Sequence, residues 1–294
     1  MSTIRNVKLF TVFLAVTLSA SLLHAQPPLT FTTVDVPGAT ETDVNDINTA
    51  GTIVGTYCTG DICPATGTGV PQAYMKANGK LSKIRVPNAT GSYAYGINDN
   101  GDVVGWYVDQ GGVTHGYLLK AGKFTKIDPP GSTLTNAWSI NTAGVIVGTF
   151  TDSSGVFHGF VDTNGTYTTF DAPNGAILTE FTAINNKGEM GGIYDDSAGN
   201  EHGFTLTGTT FRDVTYPSAT VTATDRVNDS GEIVGLHGTN VAGPFSGYMR
   251  LGKTYTDVAA PNATETRVRG VNNAGVITGR YTDSAGKIHG FTAQ

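Results

Sequence analysis

Four histidines recur before a glycine and an aromatic: His115, His158, His202 and His289. Imidazole can shuttle protons or ligate metal. These four, however, come from separate copies of one unit, so they cannot converge on one ion, and bonding to backbone or to a nearby Asp is the stronger expectation. Asp-x-x-Gly runs at Asp109–Gly112, Asp152–Gly155, Asp196–Gly199 and Asp283–Gly286 have two readings of the same kind. Each could lend one oxygen to calcium, which needs six to eight from a single cluster. A hairpin turn is the simpler use.

Paired carboxylates would suit glycoside chemistry. Glu41, Asp43, Asp46, Glu180, Asp225 and Glu265 are available, but nothing in the sequence selects a pair. There is no Gly-x-Ser-x-Gly elbow, phosphate-binding loop or His-Glu-x-x-His helix. No catalytic residue, metal or cofactor is therefore assigned.

A local basic excess stands out in an acidic chain: Arg226, Arg267, Arg269, Arg280 and His237. These five could form an anionic-ligand site. Alternatively they neutralise Glu41, Asp43 and Asp46. Tyr93, Tyr95, Trp106 and Trp138 are a second set, suited to stacking on a ligand or to burial between sheets. Cys58 and Cys63, the only cysteines, lie close enough for a small disulfide loop, with two free thiols as the alternative.

The elements that must position these residues are repeats. The line apolar-Asn-x-x-Gly appears as Ile47-Asn48 to Gly51, Ile97-Asn98 to Gly101, Ile140-Asn141 to Gly144, Ile184-Asn185 to Gly188, Val227-Asn228 to Gly231 and Val271-Asn272 to Gly275. A second glycine follows four residues on: Gly55, Gly105, Gly148, Gly192, Gly235 and Gly279. Then comes an aromatic: Tyr74, Tyr117, Phe160, Phe204, Tyr248 or Phe291. The unit closes on a strand ending at Pro37, Pro87, Pro129, Pro173, Pro217 or Pro261, and proline belongs at a strand end or sheet edge.

Each unit of about 43 residues reads as four short strands. The expected fold class is all-β: a six-bladed β-propeller of four-stranded antiparallel blades. The chain begins with a closing-type strand, Phe31 to Asp35, and ends on His289-Gly290-Phe291 with no such strand after it. The N-terminal strand should therefore complete the last blade, leaving no open edge. The domain plan is a signal peptide over 1–25 and one domain over 26–294, with repeats at 31–80, 81–123, 124–166, 167–210, 211–254 and 255–294. Two copies break the pattern. Copy 1 carries an insertion over 58–72, and copy 5 loses its Asp and His.

Composition agrees. Glycine is 39 of 294 residues and charged residues are 14 %, which suits strands and tight turns better than helices. Arg5 and Lys8 precede an apolar stretch from Leu9 to Leu23 with Ala25 before Gln26-Pro27. This is the layout of a cleaved secretory signal, with a retained anchor as the alternative. Losing it takes the formal charge from −6 to −8, because it removes two positive charges and no negative ones. The remainder has no basic footprint for nucleic acid and no long apolar run for a membrane span. A secreted or periplasmic monomer is expected.

The line Ile-Asn-x-x-Gly-x-Ile-Val-Gly with His-Gly-Phe or His-Gly-Tyr resembles the HAF-type extracellular repeats of exported bacterial proteins. Copies 1 and 5 depart from it with Gln72-Ala-Tyr and Ser246-Gly-Tyr. The resemblance implies export and a β-rich repeat domain, and it brings no catalytic residues. The expected function is non-enzymatic binding of a glycan, peptide or protein. The alternatives are a polysaccharide lyase or hydrolase with its site at the channel mouth, and a structural surface protein.

Overall fold

The computed structural model describes residues 28–60 and 69–294. The proposed signal segment and Cys63 lie outside these residues. Cys58 is disulfide-bonded.

The described residues form 24 strands and no helix. They make six four-stranded antiparallel units. Unit 1 is β2 (Glu41–Ile47), β3 (Ile53–Cys58), β4 (Gln72–Ala77) and β5 (Lys80–Lys83). Unit 2 is β6 (Gly91–Ile97), β7 (Val103–Val108), β8 (Thr114–Lys120) and β9 (Lys123–Ile127). Unit 3 is β10 (Leu134–Ile140), β11 (Ile146–Thr151), β12 (Phe157–Thr163) and β13 (Thr166–Phe170). Unit 4 is β14 (Leu178–Ile184), β15 (Met190–Asp195), β16 (Glu201–Thr207) and β17 (Thr210–Val214). Unit 5 is β18 (Val221–Val227), β19 (Glu232–Gly238), β20 (Ser246–Leu251) and β21 (Thr254–Val258). Unit 6 is β22 (Glu265–Val271), β23 (Ile277–Thr282) and β24 (Ile288–Ala293), and its fourth strand is β1 (Phe31–Val34). β1 runs antiparallel to β24 with Phe31 opposite Ala293 and Val34 opposite Gly290. The sheets are thus offset by one strand from the sequence repeats.

The repeated asparagine does two jobs. Its Oδ1 accepts the backbone N–H four residues on, as from Val145 to Asn141 (3.0 Å), which closes the first hairpin. Its Nδ2 donates to the backbone carbonyl of the same asparagine in the next unit. The relay runs Asn48 to Asn98, to Asn141, to Asn185, to Asn228, to Asn272, and Asn272 donates back to Asn48 at 3.1 Å. Six units are joined in a cycle by one side chain each.

The core lies between neighbouring units. Val54, Ala73 and Ile84 of unit 1 pack on Ala94, Ile97, Val103 and Tyr117 of unit 2. At the seam, Val34 packs with Val44, Ile47 and Ile53 of unit 1. The second repeated glycine makes close approach possible: a Cβ at Gly148 would stand 2.1 Å from the Asn136 carbonyl oxygen and 2.6 Å from the Phe160 ring.

Candidate functional site at the channel mouth

The first strand of every unit carries a register shift at the same place, a bulge that leaves one residue unpaired. Those residues are Asn45, Tyr95, Trp138, Thr182, Asp225 and Arg269. A bulge re-aims its side chain, and here the re-aimed side chains meet at the centre of the ring. Six copies of one position carry six different residue types, whereas the positions that build the sheets repeat almost unchanged. The central surface is therefore asymmetric.

Units 2 and 3 supply an aromatic wall. Tyr95 stacks on Trp106 at 4.2 Å, Tyr93 stacks on the same indole at 5.0 Å, and Trp138 stands edge-on to Tyr95 and to Trp106, each at 4.6 Å. All four rings are half-buried. The Trp138 indole N–H donates to Thr149 Oγ1 at 3.1 Å, which fixes its plane. The contacts of Trp138 with Tyr95 and Trp106 pack unit 3 against unit 2, and Trp138 is the ring of the four that reaches the cavity.

Trp138 also lines a cavity of about 290 Å³ shared with Glu180 and Glu201 of unit 4, Asp225, Ala242 and Phe245 of unit 5, and Arg267 and Arg269 of unit 6. The cavity opens on the face that holds the second hairpins and the returns between units. Its unit 5 wall is the irregular connection between β19 and β20, one of the two places where the repeat breaks. Exposed apolar side chains at Val70, Val113, Val156, Ile177 and Val241 sit in connections on this same face.

The basic residues read from the sequence divide. Arg267, Arg269 and Arg280 gather at the mouth, and each has an acidic partner. Arg267 bonds Glu265 and lies over the Phe245 ring at 4.7 Å. Arg269 donates to Asp225 Oδ1 at 2.8 Å, and Arg280 to Glu41 (3.1 Å) and Asp43 (3.3 Å). The Asp43 carboxylate holds Arg280 firmly charged, whereas burial and then the neighbouring Arg280 and Arg269 pull Arg267 below the usual guanidinium range.

Arg226 is elsewhere. It is 5 % exposed and lies at the opposite end of the central passage, beside the asparagine ring. Its guanidinium donates to the carbonyl oxygens of Thr182, Tyr95 and Trp138 and pairs with Asp46 at 3.2 Å. One side chain from unit 5 thereby touches units 1, 2, 3 and 4. Its two terminal nitrogens donate to carbonyls inside the protein, away from the mouth.

His237 also stands apart. It stacks on Tyr216 at 3.6 Å and pairs with Asp257 at 3.0 Å on the flank of unit 5. It replaces the lost histidine of that copy from the adjacent strand, since His237 faces Ser246, the residue in the usual histidine position. The other four bridge their own unit: His115 to Asp128 and Asp109, His158 to Asp171 and Asp152, His202 to Asp196, His289 to Asp35 and Asp283. The Asp-x-x-Gly carboxylates bond the backbone of their own turns, as Asp152 does with Ser154 and Val156.

Glu180 is one of the six carboxylates among which the sequence selects no pair, and Glu201 is not among them. Both line the cavity without a hydrogen bond or ion pair to any described side chain. Burial, then the charge of Glu201, pushes the Glu180 carboxyl up to about 7. Burial, then Asp195 and Asp225, does the same to Glu201. The signal that could have found Glu180 is the column it shares with Asp43, Tyr93, Asn136, Ala223 and Arg267, the third residue of each first strand, which varies as widely as the bulge position.

No family model matches the chain, and no curated protein matches it. Solved structures do. A fungal lectin from Aleuria aurantia, described as a six-bladed β-propeller with a novel mode of fucose recognition, matches with a TM-score of 0.52 at 10 % identity, covering 89 % of this chain and 93 % of the lectin. AofleA from Arthrobotrys oligospora matches with a TM-score of 0.56 at 9 % identity, over 90 % and 86 %. The β-propeller domain of the Trilobed protease from Pyrococcus furiosus, described as having an open velcro topology, matches at 0.54 and 10 %, over 87 % and 94 %. At these identities the likeness is one of fold: this chain has the fold of a β-propeller.

Proposed function

We propose that the chain is an exported six-bladed β-propeller, closed by β1, that binds glycan at the channel mouth without cleaving it. The observation that carries this is the half-exposed aromatic wall ending in Trp138, set across one cavity from Arg267, Arg269 and the carboxylates of units 4 and 5. An indole face receives the apolar face of a sugar ring, and charged side chains around it receive hydroxyls. The lectin folds above support a glycan over a peptide. Export and membership of the HAF-type repeats belong to the same proposal. They rest on residues 1–25 and on the repeat line.

The test is a glycan array with the mature protein, followed by titration of the best ligand against Trp138→Ala. The variant should bind about 30-fold more weakly, the equivalent of roughly 2 kcal/mol for a central aromatic anchor. Unchanged binding by the variant would sink this placement of the site.

A second reading is enzymatic, and one observation favours it. A general acid must stay protonated near neutrality, and Glu180 and Glu201 are both pushed up to about 7. A polysaccharide-degradation screen decides it: turnover that disappears in Glu180→Gln would replace binding with hydrolysis or elimination.

A further inference from the structure

We propose that the glycan bound at the mouth carries a positive charge, an amino sugar with its nitrogen free, and that Glu180 and Glu201 receive the ammonium beside the Trp138 face. This rests on the glycan-binding reading above and specifies its ligand.

Charge accounting at the cavity leads there. Each arginine already holds a carboxylate: Arg267 holds Glu265, Arg269 holds Asp225, and Arg280 holds Glu41 and Asp43. An anionic sugar would have to displace one of these. Glu180 and Glu201 are surplus: two carboxylates near enough to repel, neither held by a hydrogen bond or ion pair to a protein cation, with Arg269 and Arg267 acting on Glu201 only through space. A third acidic atom points the same way. Asp225 lines the same cavity; its side chain is 10 % exposed, Oδ1 is spent on Arg269, and Oδ2 is buried with no hydrogen-bond partner. Like charges crowded in a partly dry pocket are costly without a counter-ion, and an arriving ammonium supplies one. The neighbouring Trp138 suits the same ligand, because an indole face attracts a cation as well as a sugar ring.

The pH dependence has a definite sign. The groups facing the pair are Asp195 of β15, Asp225 of β18, and Arg267 and Arg269 of β22. Of these, only the carboxylates favour an ammonium. The two glutamates must be ionised to receive it, so affinity should rise as pH increases from 5 to 7.5. It should fall again where the sugar amine itself loses its proton.

The experiment is isothermal titration of the mature protein with three oligosaccharides of equal length: glucosamine, N-acetylglucosamine and a uronic acid. The glucosamine oligomer should bind at least tenfold more tightly than its N-acetylated counterpart. Glu180→Gln and Glu201→Gln should each cost about tenfold for the amine alone, one charge-assisted hydrogen bond apiece. Their melting temperatures should stay at or above wild type. Equal binding of the amine and N-acetyl oligomers, lost in Trp138→Ala, would overturn this proposal and leave glycan binding standing. Preference for the uronate would overturn it too. Silence toward all three and on the wider array would remove both.

Discussion

Arg226 shows how one side chain can serve the whole ring. Asp46 is buried beside it, and burial alone drives that carboxyl upward; the guanidinium pulls it back toward its charged form. Three backbone carbonyls from units 2, 3 and 4 also depend on the same donors. Arg226→Ala therefore strands a buried carboxylate and three acceptors together. The expected loss is on the order of 3–5 kcal/mol, the usual result of breaking a buried ion pair from one side. It is read as a fall in the urea midpoint with unchanged slope. A midpoint within experimental error of wild type would show that Arg226 is not a hub. In the sequence its charge was visible and its destination was not. The clue lay in the matching positions of the other copies, Gly96, Ser139, Ala183 and Gly270. Four small side chains there leave room at the axis for a single long one, and that room becomes apparent only when the copies are read by column.

At the scale of the strand, the repeat line was legible because each part of it answers to local physics. Asparagine followed three residues later by glycine closes a hairpin, and Gly144 does take a left-handed φ of 83°. Proline ends a strand. Pairing of the first strand with the last followed from counting closing strands at the two ends, and β1 does pair with β24. The bulge in each first strand has no such signature. A seven-residue run such as Leu134–Ile140 carries no glycine or proline to mark a bulge, so the residue turned toward the axis, Trp138, could not be told from one packed between sheets. The second glycine does report a close contact. At Gly148 the added Cβ would meet a backbone carbonyl that cannot yield without breaking the β10–β11 ladder. Gly148→Ala should cost about 3 kcal/mol, the upper end of ordinary overpacking. Gly155→Ala supplies the contrast. That residue sits in a turn at φ 84° with nothing within 4 Å, so its cost is backbone strain alone. Thermal melts of the two variants side by side should rank Gly148→Ala as the worse, and the reverse order would refute the close-approach explanation.

For the molecule as a whole, the decisive joint is the one between β1 and β24. Elsewhere the chain runs continuously from one unit into the next. Here β1, which leads into β2, carries the chain from unit 6 to unit 1 by pairing with β24 over four residues; β24 also pairs directly with β2 at Ile288 and Glu41, and Arg280 bonds Glu41 and Asp43. Around it stand the His289–Asp35 bond at 2.9 Å, Val34 in the core shared with unit 1, and the Asn272-to-Asn48 bond. Replacing both Thr32 and Thr33 by proline removes the ladder N–H whichever of the two faces β24, and leaves every other strand intact. The ladder is worth on the order of 4 kcal/mol at about 1 kcal/mol per bond, and losing it frees β24 as an edge that can pair with another copy. The same double change at Phe211 and Arg212 in β17 disrupts an outer strand of equal rank, but the chain still holds units 4 and 5 together. The Thr32/Thr33 variant should therefore show a larger hydrodynamic radius or self-association in size-exclusion chromatography with light scattering. The Phe211/Arg212 variant should stay compact and monomeric. If both behave alike, the seam is no more than one outer strand among six, and the asparagine relay and interunit cores close the ring without it.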